Sequence, residues 1–169
     1  MHPPSPWIEK FSPLIPKSGP VLDVACGSGR HSLFLLEKGY RVVAVDLDIE
    51  AIASVPKTSG LSIVKADLEK NPWPFARDQF TGIVVVNYLW RPLFPDICRS
   101  LAPGGVLLYD TFARGNEKYG RPRNPDFLLK PGELKEVLRE SLEIIDFFDG
   151  YVETPSPACR QMVAARRPA

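Results

Sequence analysis

Apolar residues fall into short blocks separated by polar stretches, and the period changes from block to block. Residues 5–15 place Trp7, Ile8 and Phe11 on one helical face, which predicts a short amphipathic helix limited by prolines on either side. Val21 to Ala25 is a brief apolar run broken by one acid, Asp23, and it ends at glycines. Residues 30–38 carry Leu33, Phe34, Leu35 and Leu36 and stop at Gly39, as a helix would. Residues 41–46 predict a second strand, and Asp48 can cap a helix that must end before Pro56. Residues 61–66 predict a third strand, followed by a Pro- and aromatic-rich connection around Trp73 and Phe75. Residues 82–87 are almost wholly apolar, which suits a strand buried on both faces. A helix over 93–101 and a fifth strand over 106–110 follow.

The last third differs. Residues 113–130 read as a long polar loop, 131–140 as a helix with Leu134, Val137 and Leu138 on one face, and 142–152 and 159–167 as strands. The connection at 153–157 suits a hairpin, so the sheet is expected to end in an antiparallel pair. Alternating strands and helices predict an α/β fold: a doubly wound, mostly parallel sheet with helices on both faces. The expected organisation is one domain over 1–169. It has a helical lead (1–19), a ligand-binding core (20–112), a candidate lid loop (113–130), and a final helix and strand pair (131–169).

Composition narrows the function classes. The chain has 169 residues, 44% of them apolar, and a formal net charge of +1, so no global field draws it to nucleic acid or to a membrane surface. Cys26, Cys98 and Cys159 are widely spaced and, with His2 and His31, match no metal-ligand pattern, so no metal is expected. The apolar runs are strand-sized, and no charged leader precedes an apolar stretch. No membrane span is therefore expected, and a cytoplasmic location is the default expectation.

The candidate chemistry lies at the ends of the predicted strands. Gly27 and Gly29 let backbone approach a ligand, and ligands of open α/β sheets bind outside the carboxyl ends of the strands. Asp46 ends the second strand, 17 residues after Gly29, where a carboxylate can accept from two vicinal ribose hydroxyls. Asp67 ends the third strand and can accept from an adenine amino group. Asp23 lies four residues before Gly27, poorly placed for a pyrophosphate but suited to an ammonium group. The third glycine of a dinucleotide fingerprint is a serine, Ser32, which weighs against NAD.

These residues also carry a resemblance. Residues 21–29 (Val-Leu-Asp-Val-Ala-Cys-Gly-Ser-Gly) resemble the first motif of class I S-adenosylmethionine-dependent methyltransferases. Residues 43–46 resemble the second, 65–68 the adenine-contacting stretch, and 101–108 the turn and fifth strand. The similarity covers roughly residues 19–112 and is nearest to compact bacterial small-molecule methyltransferases of the tellurite-resistance type.

The resemblance implies a Rossmann-like seven-stranded sheet in the order 3-2-1-4-5-7-6, with strand seven antiparallel. It implies S-adenosylmethionine as cofactor, contacted by Asp23, Ala25, Cys26, Gly27, Gly29, Asp46, Leu47, Ala66, Asp67, Leu68 and Asn87. Asn87 and Tyr88 would stand near the transferred methyl as the catalytic candidates. Trp90, Arg91, Phe112, Arg114, Tyr119 and Arg121 are the acceptor-side candidates, with the basic residues of 114–123 closing over an anionic substrate. Arg160, Arg166 and Arg167 read as surface charge.

The expected partner is a small-molecule methyl acceptor reached by in-line displacement. A nucleic-acid methyltransferase and a non-catalytic cofactor-binding module stay open as alternatives, and so does a homodimer.

Overall fold

The computed structural model describes residues 2–169. The apolar blocks become strands β1 (Val21–Val24), β2 (Val42–Asp46), β3 (Leu61–Lys65), β4 (Phe80–Val86), β5 (Leu101–Phe112), β6 (Glu143–Val152) and β7 (Ala158–Arg166). They form one sheet in the order β3-β2-β1-β4-β5-β7-β6. Pairs from β3 to β5 are parallel, and β7 runs antiparallel to both β5 and β6. The α/β fold read from the alternating pattern, and the Rossmann-like strand order implied by the resemblance, are those observed.

Five helices cover the sheet: α1 (Pro6–Phe11), α2 (Arg30–Glu37), α3 (Glu50–Ala53), α4 (Phe94–Ser100) and α5 (Glu133–Leu138). Side chains alternate faces along each strand. Leu22, Ile83 and Leu107 pack with α4 and α5 on one side. Val21, Val84 and Leu108 pack with α1 and α2 on the other. The central strands are therefore buried on both faces, which is why β4 reads as an unbroken apolar run.

Several boundaries moved for identifiable reasons. The first helix stops at Phe11 and gives way to a 3-10 turn over Ser12–Leu14 that contains Pro13. The fifth strand is longer than its apolar run, because β7 pairs with it as far as Phe112↔Arg160. Residues 113–130 are not a free polar loop. Leu128 and Leu129 are buried, Ala113 bridges Leu129, and the Asn116 side chain accepts from the Cys159 N–H at 3.2 Å.

The N-terminal helix is fixed by one residue. The Ser5 hydroxyl accepts from the N–H groups of Trp7 (3.2 Å) and Ile8 (3.4 Å), capping α1. The same hydroxyl donates to Asp110 Oδ2 at 2.7 Å, across the sheet edge. Ser5→Ala removes both, leaving a buried carboxylate oxygen without its donor. We expect a loss of roughly 1–3 kcal/mol in urea unfolding. A loss under about 0.5 kcal/mol would mean that neither bond contributes.

Candidate active site

The carboxyl ends of β1, β2, β3 and β4 lie along one edge of the sheet, and the backbone there is under strain. Ala25 (φ 53°) and Asn87 (φ 56°) both adopt left-handed conformations, which cost a residue with a Cβ. Ala25 follows β1 and Asn87 follows β4, so the two strained residues flank the switch point of the sheet. Gly27 shares the left-handed region (φ +54°), and a Cβ built there meets open space. Gly29 has a packing reason for being glycine: a Cβ there would come within 2.8 Å of Ile52 Cδ1.

Three acids hold this edge. Asp46 accepts from the Gly27 N–H at 2.9 Å and from the Asp48 N–H at 3.1 Å, tying the glycine loop to β2. Asp67 Oδ1 accepts from the N–H groups of Glu69 and Lys70, both at 3.1 Å, closing a turn. Asp23 is buried within β1, 1% exposed, and accepts from the Ser32 hydroxyl at 2.7 Å. Burial pushes its carboxyl up to about 7, against the lowering effect of the Ser32 bonds. The Arg30 charge lowers it only weakly, as the smallest of these effects. Cys26 packs with Ala44 and Ile52, and burial followed by the Asp23 charge pushes its thiol up to about 12. It is therefore a neutral packing residue at ordinary pH.

Two concave spaces meet at Asn87. The first is a cleft of about 350 Å³ lined by Ala25, Asp46, Leu47, Ala66, Asp67, Leu68, Glu69, Asn87 and Tyr88. It gathers most of the cofactor candidates. Asp23 lies below the surface and lines neither space. The second is a cavity of about 390 Å³ beneath α1 and the β6–β7 hairpin, where Asn87 and Phe112 meet Ser5, Trp7, Arg30, Asp110 and Arg160.

Among the acceptor-side candidates, Phe112 alone lines the cavity. Arg91 is committed elsewhere: it pairs with Glu133 at 2.7 Å and donates to the carbonyls of Asp126 and Leu128, pinning the 113–130 segment to α5. Trp90 packs against the core under α4. Tyr119 stacks on Tyr151 at 5.1 Å, and Arg114 and Arg121 are exposed on the surface away from the cavity. Tyr88 faces the cleft rather than the cavity. Its hydroxyl donates to Glu69 at 3.3 Å, and burial with that neighbouring acid pushes its pKa up.

The structure adds residues that the sequence reading passed over. Asp110 lies within β5, is 3% exposed, and binds Ser5 and Arg160, the latter at 2.6 Å. Arg160, expected on the surface, is instead largely buried. Its guanidinium lies 4.3 Å from the Phe112 ring centroid and also donates to the Asn87 side chain. His31 accepts from the Ser5 N–H at 3.0 Å, and burial lowers its pKa to about 4. One available signal was missed: Asp110 ends an apolar run just as Asp46 and Asp67 do.

Comparison with known proteins agrees with this geometry. The sequence profile of a family described as "Methyltransferase domain" matches residues 21–105, about half of the chain. YqeM of Bacillus subtilis is 30% identical over 115 residues, which cover 62% of this chain and 47% of that protein. A solved S-adenosylmethionine-dependent methyltransferase from Methanosarcina mazei superposes with a TM-score of 0.72 at 19% identity, covering 99% of each chain. TehB of Haemophilus influenzae gives 0.71 at 21% identity, over 95% of this chain and 61% of its own. These structural likenesses concern the fold.

The chain belongs to the methyltransferase domain family, and it shares its fold with solved S-adenosylmethionine-dependent methyltransferases. It spans less than half the length of the first curated relatives, 47%, 40% and 35% of them. No helix among the described residues is long and apolar enough to cross a membrane, and no cluster there could hold a metal.

Asp23 and His31 act oppositely on stability. The Asp23 pKa is raised in the folded state, so its contribution is full below about 4 and is lost as pH rises through about 7. The His31 pKa is depressed, so its contribution is present above about 6.5 and is lost as pH falls toward 4. In the ligand-free protein the two slopes oppose each other between these limits. Asp23→Asn should uncover the His31 slope, with Tm rising from pH 4 to 6.5. His31→Gln should uncover the Asp23 slope, with Tm falling from pH 4 to 7. Thermal unfolding across that range decides it, and identical profiles for the two variants would contradict the assignment.

Proposed function

We propose that this chain transfers the methyl group of S-adenosylmethionine to a small-molecule acceptor bound in the cavity beside Asn87. The observation that carries the reading is the junction of cleft and cavity at one strained residue. Asn87 lines both spaces, so a donor lying in the cleft would present its methyl group to the cavity. A volume of about 390 Å³ falls in the range of small-molecule sites, roughly 300–1,000 Å³.

In this reading the cleft receives the nucleoside. Asp46 accepts from the ribose hydroxyls with lone pairs not used by Gly27 and Asp48, and Asp67 uses its second oxygen toward the adenine amino group. The left-handed turns at Ala25 and Asn87 turn backbone groups toward the methionine portion, and Asp23 compensates its ammonium from below. The sulfonium supplies the leaving group and the electrophilic methyl. The protein's part is to hold a nucleophile in line with that methyl and to exclude water, which can lower the barrier by about 7–11 kcal/mol in favourable cases. Phe112 and Trp7 provide the apolar walls for that exclusion.

Asp46→Ala should weaken S-adenosylhomocysteine binding about 10- to 100-fold in calorimetry, the worth of one or two hydrogen bonds to a charged group. Affinity within twofold of the parent would remove the ribose assignment. Turnover of labelled S-adenosylmethionine over thiol, carboxylate and amine acceptors tests the transfer itself. Binding of the donor without turnover on any acceptor would favour a non-catalytic module.

A further inference from the structure

The cavity beside Asn87 carries positive charge that the protein does not balance. Lys10, Arg30 and Arg160 line it against a single carboxylate, Asp110. That carboxylate is already occupied: Ser5 Oγ donates to one oxygen at 2.7 Å and Arg160 Nε to the other at 2.6 Å. Arg30 forms no ion pair among the described residues and uses one donor, to the Pro3 carbonyl at 2.8 Å. It occupies the first position of α2, where the helix dipole favours an anion over a cation. Burial and the neighbouring Arg160 charge both push its pKa down from the usual guanidinium range.

One more donor on a cavity-lining residue is unused: Arg160 contacts no partner through Nη1. The cavity has no group free to remove a proton. Asp110 is held on both oxygens, His31 Nε2 accepts from Ser5, and the Tyr88 hydroxyl sits in the cleft on Glu69.

We propose that the acceptor is a small organic anion whose nucleophilic atom is already ionised at neutral pH, drawn into the cavity by Arg30 and Arg160. This rests on the cavity being the acceptor site. A lone pair on the ionised atom forms the bond to the methyl carbon as the S–CH₃ bond breaks, and that bonding pair stays on sulfur. The negative charge of the acceptor and the positive charge of the sulfonium disappear together. No proton is released, so no base is required. A carboxylate and an acidic thiol both have this chemistry, and a guanidinium pairs well with either.

The test uses the protein loaded with S-adenosylhomocysteine. Calorimetry compares benzoate and thiobenzoate with benzamide, which has nearly the same shape and no charge. Each anion should bind at least tenfold more tightly than the amide. Arg30→Gln should reduce that preference at least fivefold. Lys10→Glu, a change on the exposed rim of the cavity, should also reduce it without disturbing the buried network. Turnover with labelled S-adenosylmethionine then distinguishes the two sources, as methyl ester from benzoate or S-methyl product from thiobenzoate.

Equal binding of benzoate and benzamide would overturn the proposal. So would displacement of S-adenosylhomocysteine by benzoate, since the guanidinium groups would then serve the donor's own carboxylate. Faster transfer to amines or alcohols than to anions would overturn it as well. Failure of the parent protein to bind S-adenosylhomocysteine at all would instead strike the proposed function.

Discussion

The buried carboxylate of Asp110 is the point on which the cavity of this protein depends. Taking a carboxylate out of water costs several kcal/mol unless donors replace the water. Here the donors come from opposite ends of the chain, Ser5 ahead of α1 and Arg160 on β7. The backbone carbonyl of the same residue accepts from the Asn87 N–H at 2.9 Å, which fixes the turn after β4. One residue therefore positions the N-terminal helix, the terminal hairpin and the strained residue between cleft and cavity. Loss of Arg160 would leave the buried charge without its counter-ion, and loss of Ser5 would leave one carboxylate oxygen without a donor, so these elements are held as a set.

The cleft is organised differently. Its acids bond mainly to nearby backbone N–H groups, and its shape comes from left-handed turns at Ala25, Gly27 and Asn87. Backbone strain of this kind costs about 1–3 kcal/mol per residue and persists only where surrounding structure enforces it. The enforcement is visible in the register: β1 pairs with β2 and β4 through Val24↔Val45 and Val24↔Val85, immediately before the turns.

The legible parts of the sequence follow from this division. The alternation of strands and helices and the acids of the cleft were readable because they rest on local patterns: an apolar run, an acid at its end, glycines after it; the strand order came from the family resemblance. Asp46, Asp67 and Gly27 occupy places that such patterns define. The cavity was not legible, because its residues meet only in three dimensions. Arg160 in a strand of mixed character looks like solvent-facing charge until β7 is placed beside β5 and its side chain falls over Phe112. Conversely, the cluster of basic residues at 114–123 suggested a lid, yet Arg114 and Arg121 face solvent. Arg91, which did find a carboxylate, ties down a connection. Charge composition in a segment says little about where the segment docks.

The separation in sequence between bonded partners has a consequence for how the site comes into being. Gly27 and Asp46 are 19 residues apart, whereas Ser5 reaches Asp110 across 105 and Arg160 reaches Asn87 across 73. Closing long loops is entropically later than closing short ones. The bond that ties the glycine loop to β2 closes a short loop, whereas the cavity needs the hairpin and the first helix to dock. A molecule whose hairpin has come loose would retain the cleft while the cavity had lost a wall. Local opening of the sheet edge would then uncouple the two halves of the site without unfolding the domain.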